Sequence, residues 1–161
     1  LQNRGAYFSL DPKHPNRLEP GKVPLHTLIA SLAFRQGKPE EKQEEKLWAV
    51  LGCMGADGQP QIHLQTYVAM IDFGQDIQQA LAGPRWLSGR FGLGEARDTL
   101  HIEARFPRET IDELERRGHP VDRWGDWNEL GGHAHGITVD ANTGLLAGGF
   151  DPRSDGAAMG Y

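Results

Sequence analysis

The residues with the most chemical promise lie between positions 52 and 74, GCMGADGQPQIHLQTYVAMIDFG. The apolar run at 47–51 reads as a buried strand ending at Gly52, and a glycine-rich turn then leads into an amphipathic segment over 61–73. A helix entered this way leaves backbone N–H groups without intrahelical acceptors, and those donors suit an anion, a phosphate or the oxyanion of an acyl-transfer intermediate. The same pattern also describes a plain strand-to-helix connection, and local sequence leaves both open. Other constellations offer less. His133-Ala134-His135 lacks the three or four convergent ligands of a metal centre, and no Cys or His pair has a zinc spacing, so no metal site is expected. Cys53 stands at a strand end, not in a nucleophile turn, and reads as a buried structural thiol. The stretch 151–156, DPRSDG, reads as a turn whose charges pair locally and fix the end of the chain.

These residues need elements to position them. Residues 1–22 are rich in Gly, Pro, Asn and Asp and predict an ordered, irregular excursion. A strand at 25–35, a turn at 36–39 and a return strand at 47–51 form an antiparallel hairpin, with the charged stretch 40–46 as its solvated tip. A short helix over 75–81 must stop before Gly83-Pro84, because proline cannot continue it. Short strands are expected at 85–87 and 99–103. The helix signature is clearest at 107–117, with proline in the first turn, early acids, Arg116-Arg117 late and Gly118 as a stop. Strands at 136–140 and 145–149 joined by Ala141-Asn142-Thr143-Gly144 complete a mixed α+β chain without internal repeats.

Composition bounds the function. The chain has 161 residues, enough for one domain spanning 1–161, but its 21 glycines and mean hydropathy of -0.55 suggest a loop-rich body that leans on a partner. A net charge of -5 disfavours nucleic acid and anionic membrane surfaces, both of which want a basic face. No window approaches the roughly eighteen apolar residues of a membrane span, and Leu1-Gln2-Asn3-Arg4 is not a signal peptide. The opening reads as that of a fragment or a processed chain. A single cysteine excludes an internal disulfide framework and leans toward the cytosol over the periplasm. No nucleotide, flavin or other cofactor signature is present, and a higher oligomer is left open.

Taken in order, Leu-Gln-Asn-Arg-Gly at 1–5 with Phe8 and Asp11-Pro12, Pro20-Gly21-Lys22 with Pro24-Leu25, and Gly55-Ala56-Asp57-Gly58-Gln59-Pro60-Gln61 form a recognisable series. Asp72-Phe73-Gly74, Ala82-Gly83-Pro84-Arg85-Trp86 and Asp151-Pro152-Arg153 through Gly160-Tyr161 continue it. The series resembles the small subunit of the gamma-glutamyltranspeptidase family, nearly end to end. The resemblance implies the C-terminal portion of that subunit, within a four-layer αββα sandwich of antiparallel sheets typical of N-terminal nucleophile hydrolases. It also implies a large subunit cut from the same precursor. The implied nucleophile is a threonine exposed by self-cleavage, with its own α-amine as base, and it lies upstream of Leu1.

Carried over residue by residue, the resemblance places the oxyanion N–H groups on Gly55 and Ala56. The family usually has glycine at both, so Ala56 is tolerable only if its backbone avoids a positive φ. The Ser-Ser pair that binds the donor carboxylate falls on His26 and Thr27. The acid that grips the donor ammonium falls on Tyr7, and Arg4 replaces a neutral amide. Exchanging an anion for a phenol while adding a guanidinium favours an acid without an α-amino group. Arg4, Tyr7, His26 and Thr27 are therefore the expected substrate contacts, unless Arg4 is a structural arginine paired with an Asp or Glu. The pattern looks like the branch that includes cephalosporin (glutaryl) acylases and oxamate amidohydrolase. The leading expectation is an amidohydrolase acting on a small amide through an acyl-enzyme. A true gamma-glutamyl transferase and a non-catalytic binding protein that has lost its nucleophile are the alternatives.

Overall fold

The computed structural model describes residues 3–36, 45–90 and 96–160. Its strands and helices, in chain order, are β1 (Ala30–Gln36), β2 (Glu45–Met54), α1 (Gln59–Ile71), α2 (Ile77–Ala82), β3 (Trp86–Ser88), β4 (Leu100–Glu103), α3 (Arg108–Arg116), β5 (Val121–Trp124), β6 (His133–Val139) and β7 (Leu146–Phe150). Short 3-10 turns occupy Asn3–Tyr7, Ala56–Gly58 and Glu129–Gly131.

The main sheet runs β1-β2-β6-β7 and is antiparallel throughout. Alternation along β2 and β6 turns Ala49, Leu51 and Ala134 to one face, where they pack with Ile62 and Met70 of α1 and Ile77, Ala80 and Leu81 of α2. Gly136 and Gly149 let these helices approach the sheet: a Cβ at Gly136 would stand 2.7 Å from Ile77 Cδ1, and one at Gly149 would stand 3.0 Å from Leu81 Cδ1. The opposite face carries Leu32, Met54, Ile137 and Leu146, which are 61%, 57%, 45% and 68% exposed. One antiparallel sheet with helices on one side is an α+β unit, two layers of the αββα plan.

A smaller sheet, β3-β4-β5, pairs β3 with β4 antiparallel and β4 with β5 parallel. The parallel pair follows from α3, which supplies the crossover that two parallel neighbours need. Residues 121–124, absent from the expected strands, are thus a strand because of the neighbour they join.

The expected boundaries shift in physically readable ways. The strand placed at 25–35 begins only at Ala30, since 25–29 join no ladder, and β2 continues past Gly52 to Met54 by pairing with His133. Glu45 and Lys46, placed in the hairpin tip, pair instead with Gln36 and Arg35. The rest of that tip, 37–44, lies outside the described residues. Helix α1 starts two residues early because Pro60 suits a first helical turn. The turn at 141–144 forms as expected: Gly144 takes φ +73°, and the Asp140 carboxylate accepts from the Asn142 and Thr143 amides and the Thr143 hydroxyl.

Candidate functional site

The turn after β2 is built to aim the Ala56 amide outward. The Gly58 N–H donates to the Gly55 carbonyl at 2.8 Å, which pins that C=O into the turn. In a trans peptide N–H and C=O point in opposite directions, so the Ala56 N–H is driven away from the turn interior. Ala56 is exposed, Gly55 is buried, and among the described residues neither N–H has a hydrogen-bond acceptor. Gly55 is required by close packing. A Cβ there would stand 2.5 Å from Ile62 Cδ1, and from the other side a Cβ at Gly132 would meet the Met54 carbonyl at 2.6 Å.

Ala56 departs from expectation. The sequence reading tolerated alanine only without a positive φ, yet Ala56 sits at φ +45°, the one non-glycine with positive φ among the described residues. Its carbonyl, which accepts from the Gln59 N–H and from Gln59 Nε2 at 3.0 Å, holds it there. A left-handed conformation costs an L-residue about 1–2 kcal/mol. Ala56→Gly should therefore stabilise the full-length protein by about 1 kcal/mol while keeping the N–H, read as a raised melting temperature. An unchanged or lowered melting temperature would show that the turn carries no strain.

Of the expected substrate contacts, the structure brings Arg4 and Thr27 into direct contact. Arg4 and Tyr7 occupy one 3-10 turn, where residues three apart stack above one another. Arg4 Nε donates to Thr27 Oγ1 at 2.5 Å, joining residues 23 positions apart. Tyr7 is 52% exposed, and His26, beside Thr27, is exposed. Gln59, the first residue of α1 and 5% exposed, connects this segment to the turn: Nε2 donates to the Thr27 carbonyl at 2.7 Å and Oε1 accepts from the Ile29 N–H at 3.2 Å. Sequence reasoning passed over Gln59. A glutamine just before the proline of a helix start was the available signal.

Behind the turn lies a buried ionic cluster. Arg85 pairs with Asp151 at 2.6 Å, Arg153 pairs with Asp151 at 2.9 Å and with Glu103 at 2.6 Å, and Arg105 reaches Glu103 at 2.7 Å. The 151–156 turn does pair locally, as expected, but the same charges also reach across the fold. Burial alone would raise the Asp151 carboxyl, but the Arg85 and Arg153 guanidiniums outweigh it and hold Asp151 below the usual carboxylate range. The Glu103 carboxyl is also lowered: burial works against this, and the Arg153 contacts prevail. Arg85 Nη1 also donates to the Gly131 and Gly132 carbonyls at 2.9 and 3.1 Å, so the cluster backs the glycine that packs on Gly55. Arg105 and Arg153 take the last carbonyls of α2, at Ala82 and Gly83, which a six-residue helix leaves unsatisfied.

Cys53 is half-buried, and burial pushes its thiol up to about 11, so it is protonated and unreactive at neutral pH. His133 and His135 stand on the sheet face away from the helices. Among the described residues no group of three His, Cys, Asp or Glu side chains could hold a metal ion.

The gamma-glutamyltranspeptidase family model matches residues 1–161. The chain is 44% identical over 160 residues to the glutathione hydrolase-like YwrD proenzyme of Bacillus subtilis, covering 99% of this chain and 29% of that protein. It is 43% identical over 160 residues to the oxamate amidohydrolase proenzyme of Klebsiella pneumoniae, covering 99% and 28%. The crystal structure of cephalosporin acylase from Bacillus halodurans superposes with a TM-score of 0.77 at 36% identity, covering 100% of this chain and 28% of that one. The chain thus spans less than a third of the length of these relatives. A family match over the whole of its length, joined to this fold, means that the chain belongs to the gamma-glutamyltranspeptidase family.

Proposed function

We propose that this chain is the C-terminal portion of the small subunit of an amidohydrolase, a two-chain N-terminal nucleophile enzyme that cleaves the amide of a small acid lacking an α-amino group. The observation that carries this reading is the Arg4 to Thr27 hydrogen bond, which puts a guanidinium and a hydroxyl together in the segment matched to carboxylate recognition. The relatives named oxamate amidohydrolase and cephalosporin acylase support the same class. In the proposed reaction an upstream threonine attacks the amide carbonyl. The Gly55 and Ala56 N–H groups hold the oxyanion, the amine leaves as the acyl-enzyme forms, and water then releases the acid. Arg4, Thr27 and His26 orient the substrate carboxylate, while Tyr7 lines the place where an ammonium-binding acid would otherwise stand.

The partner in this reading is a large subunit from the same precursor. To contact with that subunit we assign the exposed apolar sheet face bearing Leu32, Met54, Ile137 and Leu146. A second reading, a gamma-glutamyl transferase or glutathione hydrolase, is favoured by the name of the B. subtilis relative.

The test compares release from oxamate and from glutaryl-p-nitroanilide with release from gamma-glutamyl-p-nitroanilide by the full-length, processed protein. Turnover of an acid amide should dominate. Arg4→Gln should cut it by about 10–100-fold through loss of a charge-assisted contact, chiefly by raising KM. Dominant gamma-glutamyl turnover with Arg4→Gln harmless selects the second reading.

A further inference from the structure

We infer that Gln59 is a positioning residue that fixes the spacing between the acid-recognition segment and the oxyanion turn. This rests on the proposed roles of Thr27 and Ala56, but the clamp is independent of which acid is bound. The Gln59 carboxamide has two donor hydrogens and one acceptor oxygen, and all are committed. Nε2 donates to the Thr27 carbonyl at 2.7 Å and to the Ala56 carbonyl at 3.0 Å, while Oε1 accepts from the Ile29 N–H at 3.2 Å.

The two carbonyls therefore meet at a single nitrogen. One belongs to the residue whose hydroxyl receives Arg4, and the other to the residue whose N–H points out of the turn. Residues 25–29 belong to no ladder, so this side chain is a principal tie between them and the body of the fold. The tie also acts on the strained peptide itself, because the Ala56 carbonyl is held from two directions while its φ is +45°. A carboxamide is the one side chain at this position that can donate twice and accept once. Glutamate reaches as far but, when ionised, presents only acceptors to two carbonyl oxygens.

The consequence is a defined selectivity. A substrate with a carboxylate must engage the Thr27 segment and the turn at once, whereas an uncharged acyl group engages only the turn. The ratio of kcat/KM for glutaryl-p-nitroanilide over butyryl-p-nitroanilide reads the coupling, and general destabilisation would lower both rates together. In the full-length, processed protein, Gln59→Leu should lower this ratio by roughly tenfold or more. Gln59→Glu should lower it similarly at neutral pH and regain part of it toward acid pH, relative to the wild type, as the carboxyl gains a proton it can donate. A ratio left unchanged by both variants overturns the inference.

Hydrogen exchange gives an independent reading. In Gln59→Leu the two hydrogen-bonded amides of these segments, Ile29 and Gly58, should exchange faster together, by about tenfold, with those of α3 and β5 unchanged. Acceleration confined to one segment overturns the clamp whatever the activity. If the wild type prefers gamma-glutamyl over glutaryl substrates, the amidohydrolase reading fails. The ratio is then taken for gamma-glutamyl over butyryl, because the donor carboxylate still meets Thr27, and if no anilide is turned over, exchange alone decides.

Discussion

Gly55→Ala should lower kcat of the processed protein by about 100-fold, with a smaller change in KM, because a 1 Å displacement of a catalytic group can cost that much. The new Cβ would stand 2.5 Å from Ile62 Cδ1, about 1 Å inside ordinary contact, while its next neighbours, on Gln59, lie at 3.6 and 3.7 Å. Ile62 is fully buried among core residues and cannot turn away, so the turn must move and take its N–H groups with it. The effect should therefore be reversible at a second site. Ile62→Val deletes the Cδ1 atom for about 0.5–1.5 kcal/mol of stability. In the Gly55→Ala background it should recover at least tenfold of the lost kcat, a coupling that a double-mutant cycle measures directly. A Gly55→Ala protein with wild-type kcat would mean that the turn is not where charge develops. One with low kcat that Ile62→Val does not relieve would place the damage elsewhere.

Asp151→Asn should destabilise the protein by about 3–5 kcal/mol, since removing one member of a buried ionic cluster strands the charges that remain. Asp151 is completely buried and faces Arg85 and Arg153, and its Oδ2 also accepts from the Ala134 N–H at 3.1 Å. The pH dependence follows from the direction of the shift. Asp151 and Glu103 both have lowered carboxyl pKa values in the folded state. Their contribution is present above the ordinary carboxylate range and is lost as pH falls through the depressed folded values. Wild type should thus lose stability steeply below about pH 4, and Asp151→Asn should lose less over the same interval while starting lower. Equal melting temperatures at neutral pH would contradict the cluster's role. Parallel acid limbs would assign the acid sensitivity to other groups.

The features legible in the sequence were those written locally. The turn at Gly55 and Ala56 announces itself through an apolar strand and a glycine-rich break, and α3 through Pro107, Arg116, Arg117 and Gly118. The expected amphipathy of α1 is weak, because its buried face includes Gln59, His63 and Thr66 while Leu64 and Ile71 are exposed. What stayed hidden depends on distant partners. β5 has only Trp124 buried, so its four residues show no alternation and become a strand by joining β4 in parallel. The first half of β6 was missed because His133 and His135 look polar and loop-like until the open sheet face is seen. Asp151 reads as a turn acid because Arg153 is two residues away, while Arg85 lies 66 positions upstream. Gln59 looks like a surface helix start until Thr27 and Ile29 fold over it. The left-handed Ala56 runs against the ordinary preference of its residue type, which is where sequence propensities fail and functional geometry tends to be found.

Catalysis in this reading requires charge to develop within reach of the Gly55 and Ala56 amides at the end of β2. The most direct measurement is a crystal structure of the full-length, processed protein trapped as the acyl-enzyme on a slowly hydrolysed glutaryl amide. The acyl carbonyl oxygen should lie about 2.7–3.1 Å from both the Gly55 and Ala56 nitrogens. An acyl oxygen held by other donors, with both amides facing solvent or covered by the partner chain, would contradict it.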